Sequence, residues 1–128
     1  MVVTSNMFGD IATDLASVLQ GGMGMAGSGN IGDKHAFFEP VHGSAPKYAG
    51  MNKVNPIASV NSIQMMMDWL GRKNNNSEIL TVASAIEQSV SQHLSDGKHL
   101  TYDLGGDATC SAVGDLITTR LAKILSEL

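Results

Sequence analysis

After Asn55 the chain repeats one pattern three times, apolar residues at helical spacing, and this leaves little sequence from which to build a sheet. Asn55-Pro56 opens the first repeat, with Asn as cap and Pro at the first position, where its missing N–H costs nothing. The spacing predicts a helix to Leu70, closed by Gly71, with Ile57, Val60, Ile63, Gln64, Met67 and Leu70 on or near one face. The Met65-Met66-Met67 run reads as core filling, since methionine adapts to irregular gaps. A polar turn, Arg72 to Asn76, leads to a second helix from Ser77 to Leu94 (Ile79, Val82, Ala83, Ile86, Val90, Leu94) that stops near Gly97. Leu100–Gly106 is a loop, and Ser111 to Leu128 is a third helix through Val113, Leu116, Ile117, Leu121, Ile124 and Leu125.

Upstream, Met1–Thr4 is a short β-prone run that could end a strand. Asp10 to Leu19 has helical spacing (Ile11, Leu15, Val18, Leu19), with Gly21-Gly22 as its stop. Met23 to Gly32 is too rich in glycine for a regular helix. His35–Val41 reads as a buried strand through Phe37, Phe38 and Val41, and His42 to Asn55 as a long loop. The class is therefore α/β or α+β with few strands for its helices, and a sheet this small needs strands from elsewhere.

Composition removes several functions. Eight Lys+Arg against twelve Asp+Glu give a formal charge of −4, whereas nucleic-acid binders draw most of their affinity from a basic surplus. No run of eighteen apolar residues offers a membrane span. The single cysteine, Cys110, excludes an internal disulfide framework and a four-thiolate zinc site, and reads as a small packed residue at a helix start. A soluble chain of the cytoplasm or the mitochondrial matrix is expected.

Three stretches bear on chemistry. Gly22 to Gly27 formally matches G-x-G-x-x-G, but that fingerprint needs a strand before it and a helix after it. Here a helix precedes and Ser28-Gly-Asn-Ile-Gly32 follows, so the match is a decoy. Asp10 and Asp14 lie four apart, on one face of the predicted helix. A hard divalent cation would offset their repulsion, although magnesium wants six oxygens. The bland alternative sets Asp10 at the positive helix end and Asp14 in solvent. The loop from Glu39 to Gly50 is the most informative: Gly43, Ser44 and Ala45 allow close backbone approach, Pro46 stiffens it, and Lys47 with Tyr48 suits a phosphate monoester. Read singly, His42 would be structural and Lys47 a solvated charge. Asn55 could serve both as helix cap and as partner to a base edge.

Two blocks, Asn6-Met-Phe-Gly-Asp-Ile-Ala-Thr-Asp14 and His42-Gly-Ser-Ala-Pro-Lys-Tyr-Ala-Gly50 running on to Asn55-Pro56, resemble the isocitrate/isopropylmalate dehydrogenase family, with Leu104-Gly-Gly106 and Gly114-Asp115 as a weaker match. The resemblance spans essentially the whole chain and corresponds to the C-terminal part of the family's α/β fold, which is not a classical Rossmann fold. It implies that residues 1–20 end a metal-binding small-domain region and that residues 21–128 belong to a cofactor-binding large-domain region. It further implies that Asp10 and Asp14 bind Mg²⁺ or Mn²⁺. His42, Gly43, Ser44, Ala45, Pro46, Lys47, Tyr48, Val54, Asn55 and Tyr102 match the loops that hold the adenosine half of a nicotinamide cofactor. NAD-using members place an acid where Lys47 stands. Lys47, Tyr48, Val54 and Tyr102 instead resemble the NADP-using isocitrate dehydrogenases, although Gly106 stands where some of these carry an arginine. Asn30-Ile-Gly-Asp33 also looks more like the isocitrate enzymes.

The activity so implied is hydride transfer from isocitrate to NADP⁺ followed by loss of CO₂, with a divalent ion as Lewis acid. NAD as cofactor, and isopropylmalate or homoisocitrate as substrate, are the alternatives, as is a non-catalytic nucleotide-binding or assembly module. Family members are roughly three times this length, so the chain is expected to be a fragment, inactive alone, without the family's catalytic tyrosine and lysine. Uncovered sheet edges and apolar faces would favour a homodimer or higher oligomer, or pairing with the missing N-terminal half.

Overall fold

The computed structural model describes residues 2–128. Among them are four α-helices, α1 (Asn6–Ser17), α2 (Ile57–Lys73), α3 (Ser77–Asp96) and α4 (Cys110–Ser126), and one antiparallel pair of strands, β1 (Gly27–Ile31) and β2 (Ala36–Pro40). The α/β character with few strands is as expected. Met1 lies outside the described residues, and Val2–Thr4 form no strand.

Helix α2 is the centre of the molecule. The hairpin packs on one side of it and α3 on the other, with α4 against α3. Ile57, Val90, Val113 and Ile117 form the core where these helices meet, ringed by Met25, Val60, Leu94 and Ala108. Burying each of these branched side chains contributes about 1.5–3 kcal/mol. Elsewhere the helices touch through small residues. Ala58 and Ser62 on α2, with Ala83, Ala85 and Ser89 on α3, are buried, while Ile63, expected on the packed face, is half exposed at 50%. Gly71 is not a stop but an interior residue of α2: a Cβ there would come within 2.7 Å of the Leu80 side chain. Large apolar residues marked the face that the pattern could see; the closest helix contact depends on the small ones.

The glycine-rich segment also departs from expectation. Met23–Met25 is a single 3₁₀ turn, and Gly27–Ile31 is a strand paired with Ala36–Pro40, Gly29 opposite Phe38. Its glycines allow it to lie flat on α2, since a Cβ on Gly27 would sit 3.1 Å from the Ser62 amide and one on Gly29 would meet the Phe38 ring at 3.0 Å. As no helix follows Gly27, the fingerprint geometry is absent.

Helix α1 begins four residues before Asp10. The apolar residues of α1 and of the 3₁₀ turn after it (Val18–Gln20) have little to cover them: Ile11, Leu15, Val18 and Leu19 are 63–92% exposed, and only Ser17 of the helix is buried. Capping follows the sequence elsewhere. Asn76 accepts from the Ile79 amide, Thr109 from the Ala112 amide, and Gly97 ends α3 in the left-handed region. No helix among the described residues is long and apolar enough to cross a membrane.

Candidate functional site

Two open hollows share His42 and Gly43, which lie just past β2 after Val41. The larger, about 540 Å³, lies between α1 and the hairpin and is lined by Asn6, Asp10, Thr13 and Asp14 on one wall and Ser28, Asn30 and Glu39 to Gly43 on the other. Because α1 starts at Asn6, Asp10 is in its second turn and no acid occupies the first, so the helix-terminus explanation for Asp10 falls away. Both aspartates are exposed and neither is among the ion pairs of the described residues. Like charges one turn apart therefore line the same hollow, with no ion pair among the described residues to offset them. No three His, Cys, Asp or Glu among the described residues converge closely enough to hold an ion. The two carboxylates are a hard-oxygen pair and an incomplete shell, whose remaining ligands must be water, a bound molecule or groups outside this chain.

The smaller hollow, about 380 Å³, takes its walls from three loops: His42 to Ala45 with Tyr48, Val54-Asn55, and Tyr102-Asp103, with Gly24 closing one side. This is the small end of the range for ligand pockets, about 300–1,000 Å³. Eight of the ten cofactor residues expected from sequence line it; Pro46 and Lys47 sit on the adjoining 3₁₀ turn (Pro46–Tyr48) outside its wall. Lys47 is exposed and has no hydrogen bond or ion pair among the described residues.

The loop is held in an unusual shape. Ala45 has φ 47°, ψ 56°, a left-handed conformation that costs a side-chain-bearing residue about 1–2 kcal/mol and that a following proline disfavours further. The Tyr48 amide closes the turn by donating to the Ala45 carbonyl at 2.9 Å. His42 Nδ1 lies 2.8 Å from the Gly43 carbonyl; a carbonyl only accepts, so Nδ1 carries the proton in this contact.

Asn55 ties the hollow together. Its Oδ1 accepts from the Ile57 amide at 3.0 Å, capping α2, and its Nδ2 donates to Asp103 Oδ2 at 3.0 Å. The side chain is buried, yet one N–H and one lone pair of the amide remain free, enough to meet a base edge. Gly24 makes this packing possible, because a Cβ there would stand 2.9 Å from Asp103 Oδ2 and 3.3 Å from Asn55 Cβ. The Tyr48 and Tyr102 rings lie 5.8 Å apart. The Tyr102 hydroxyl is held above the usual phenol range by its interaction with the Tyr48 hydroxyl, then by partial desolvation and by the negative charge of Asp103. It stays a proton donor at neutral pH. Lys53 Nζ sits over both rings, 4.5 Å from the centre of Tyr102 and 5.9 Å from that of Tyr48.

Gly24, Lys53 and Asp103 were not expected from sequence. Asp103 and Lys53 had a signal, adjacency to Tyr102 and to Val54 in loops already singled out; Gly24 becomes visible only when the chain is folded. Gly106 acquires a physical reason. A Cβ there would lie 2.0 Å from the Leu100 carbonyl oxygen, so this backbone admits no arginine at that position.

Residues 1–117 match the family described as isocitrate/isopropylmalate dehydrogenase. The chain is 46% identical over 124 residues to the isocitrate/homoisocitrate dehydrogenase of Thermus thermophilus, covering 97% of this chain and 35% of that protein. It is 47% identical over 125 residues to the homoisocitrate dehydrogenase of Methanocaldococcus jannaschii, covering 98% and 34%. The crystal structure of isocitrate dehydrogenase from Methylococcus capsulatus superposes with a TM-score of 0.80 at 36% identity over 91% of this chain and 33% of that one. The chain thus spans about a third of the length of the relatives it matches.

Proposed function

The chain belongs to the isocitrate/isopropylmalate dehydrogenase family, and on that footing we propose that it forms the metal- and adenosine-binding portion of an NADP-dependent, β-decarboxylating isocitrate dehydrogenase. The observation that supports this best is that the two hollows share His42 and Gly43 as a common wall, which sets the aspartate pair next to the recess. In this reading Asp10 and Asp14 are two ligands of Mg²⁺ or Mn²⁺. His42 to Lys47, Tyr48, Val54, Asn55 and Tyr102 hold the adenosine half of the cofactor, with residues 1–20 and 21–128 contributing to the two domain regions.

When bound, a divalent ion supplies Lewis-acid polarisation of a hydroxy acid and a nicotinamide supplies the hydride acceptor. What this chain's residues do is bind and orient. The strained Ala45 turn fixes the backbone of the recess, Asn55 offers its free amide valences to a base, and the Tyr102 hydroxyl donates a hydrogen bond to an anion. Hydroxy-acid recognition and the catalytic acid and base come from outside this chain, so the polypeptide alone is inactive and works with the remainder of the enzyme, as a homodimer or larger assembly. The activities of the two curated relatives make homoisocitrate the second substrate reading.

Titration of Mn²⁺ followed by the loss of its free-ion electron paramagnetic resonance signal tests the metal assignment. Asp14→Asn removes one of two protein ligands and should weaken binding at least tenfold; unchanged affinity would remove Asp14 from the site.

A further inference from the structure

His93 lies in the last turn of α3, 1% exposed, and its Nε2 has no hydrogen-bond partner among the described residues. It sits at the seam between α3 and α4, whose apolar part is Val90, Val113 and Ile117. An ion pair crosses the same seam: Arg120 of α4, one turn from Ile117, donates to Asp96 of α3, one turn from His93. The charges that act on the ring are those of Arg120, Asp96 and, past the helix end, His99. The other helix against α3 is α2, whose charged residues, Asp68, Arg72 and Lys73, lie in its last two turns. Those turns are at the far end from Ile57, which shares the core with Val90. Burial first, then Arg120, holds the ring's pKa below the ordinary 6.5. Asp96 could receive an imidazolium, but it is already bonded to Arg120.

The segment after His93 leads directly to the recess. Gly97 and His99 both turn in the left-handed region, at φ 62° and 55°, a conformation that strains a side-chain-bearing residue such as His99. Thr101 is 1% exposed and its hydroxyl also lacks a partner. The next two residues, Tyr102 and Asp103, line the recess, and Asp103 holds Asn55. The loop is braced on itself: the Leu100 carbonyl accepts from the Ala108 amide at 2.9 Å, and the Thr101 carbonyl from the Gly106 amide at 3.0 Å. A loop so braced shifts as a unit when its two ends, α3 and α4, part.

We propose that His93 is the proton sensor of a local opening: a proton on its ring, buried beside Arg120, parts the ends of α3 and α4 and draws Tyr102 and Asp103 out of the recess wall. The inference does not depend on what the recess binds. The open ring takes its proton near pH 6.5 and the folded ring below it, so opening takes up one proton in the interval between. The closed form is therefore favoured above pH 6.5 and loses ground as pH falls through that value, until the folded ring is itself protonated.

Amide hydrogen exchange followed by ¹H–¹⁵N magnetic resonance from pH 7.5 to 5 tests this, with each rate compared with the intrinsic rate at the same pH. The amides of Gly106, Ala108 and Cys110 should be less protected than those of Val60 to Met67 in α2, because the opening is local. Their protection should fall at least about threefold between pH 7.5 and 5.5. His99→Gln should keep that fall and His93→Gln should abolish it. Equal protection of the loop and α2, a loop protection indifferent to pH, or a fall that survives in His93→Gln overturns the proposal. Should His93→Gln fail to fold by circular dichroism, the titration of the ring in the parent decides. The fall must then level off at the midpoint of the folded ring, and a midpoint at or above 6.5 overturns the sensor.

Discussion

Replacing Asn55 with alanine should loosen the fold and the recess together. The substitution removes the acceptor that caps α2 at the Ile57 amide, which costs about 1 kcal/mol for an amide cap. It also removes the donor to Asp103. Asp103 is exposed, so water can replace much of that bond, and its loss costs about 0.5–1 kcal/mol, the lower part of the range for an ordinary hydrogen bond rather than the about 1.5–3 kcal/mol of a desolvated bond to a charged group. Asn55 itself is only 6% exposed, and the space it vacates is bounded by the Gly24 backbone. The sum is about 1.5–2 kcal/mol. With a urea slope of about 1–3 kcal/mol/M for a small domain, the midpoint should fall by roughly 1 M. Asp103→Ala alone should cost about 0.5–1 kcal/mol, and in the double variant that cost should nearly vanish, because the bond is already gone. Urea unfolding of the four proteins, followed by far-ultraviolet circular dichroism, measures the cycle. Additive effects, with a coupling below about 0.3 kcal/mol, would refute the Asn55–Asp103 bond as a stabilising contact, and a midpoint unmoved by Asn55→Ala would refute the cap.

Two further outcomes follow from other parts of the chain. Gly106→Ala drives a methyl group into the Leu100 carbonyl and should destabilise by about 1–3 kcal/mol as the loop shifts; a urea midpoint equal to the parent's would mean that the loop yields freely. His93, 1% exposed with Nε2 lacking a partner, has its pKa held below the ordinary 6.5, first by desolvation, then by the charge of Arg120, with Asp96 opposing. Below pH 6.5 the unfolded chain takes up this proton before the folded one, so stability falls as pH drops through that value. The fall in midpoint from pH 7 to pH 5.5 should be smaller in His93→Gln, and identical falls in the two proteins would show that His93 contributes nothing to it.

The parts of the fold legible in sequence are those built on large apolar side chains. The periodicities of α3 and α4 place Ile86, Val90, Val113 and Ile117 on the faces that the fold buries. Strand β1 was illegible because Gly27, Ser28, Gly29 and Asn30 carry none of the β-branched or aromatic residues that mark strands. It is a strand through its pairing with β2, and its glycines permit a close approach, since a Cβ on Gly27 or Gly29 would crowd Ser62 or Phe38. Gly71 was misread for the same reason: a glycine that permits close helix packing looks, in one dimension, like a terminator. In the site, the contiguous run from His42 to Tyr48 was readable as a ligand loop. Asp103 and Gly24 join it from segments far apart in sequence, where only the folded chain supplies the adjacency. The exposed apolar residues of α1 had helical spacing but no partner within the chain, and pattern alone does not distinguish a covered face from an uncovered one.

The central claim is that the aspartate pair on α1 and the tyrosine-lined recess serve one site. Manganese is paramagnetic and broadens the magnetic resonance lines of nuclei close to it, so the ¹H and ³¹P spectra of adenosine 2′,5′-bisphosphate bound to the chain report on that proximity. Addition of Mn²⁺ should broaden the bound nucleotide's lines, and Asp10→Asn/Asp14→Asn should abolish the broadening while leaving nucleotide affinity unchanged. Equal broadening in parent and variant, or none in a parent that binds both ion and nucleotide, would contradict a shared site.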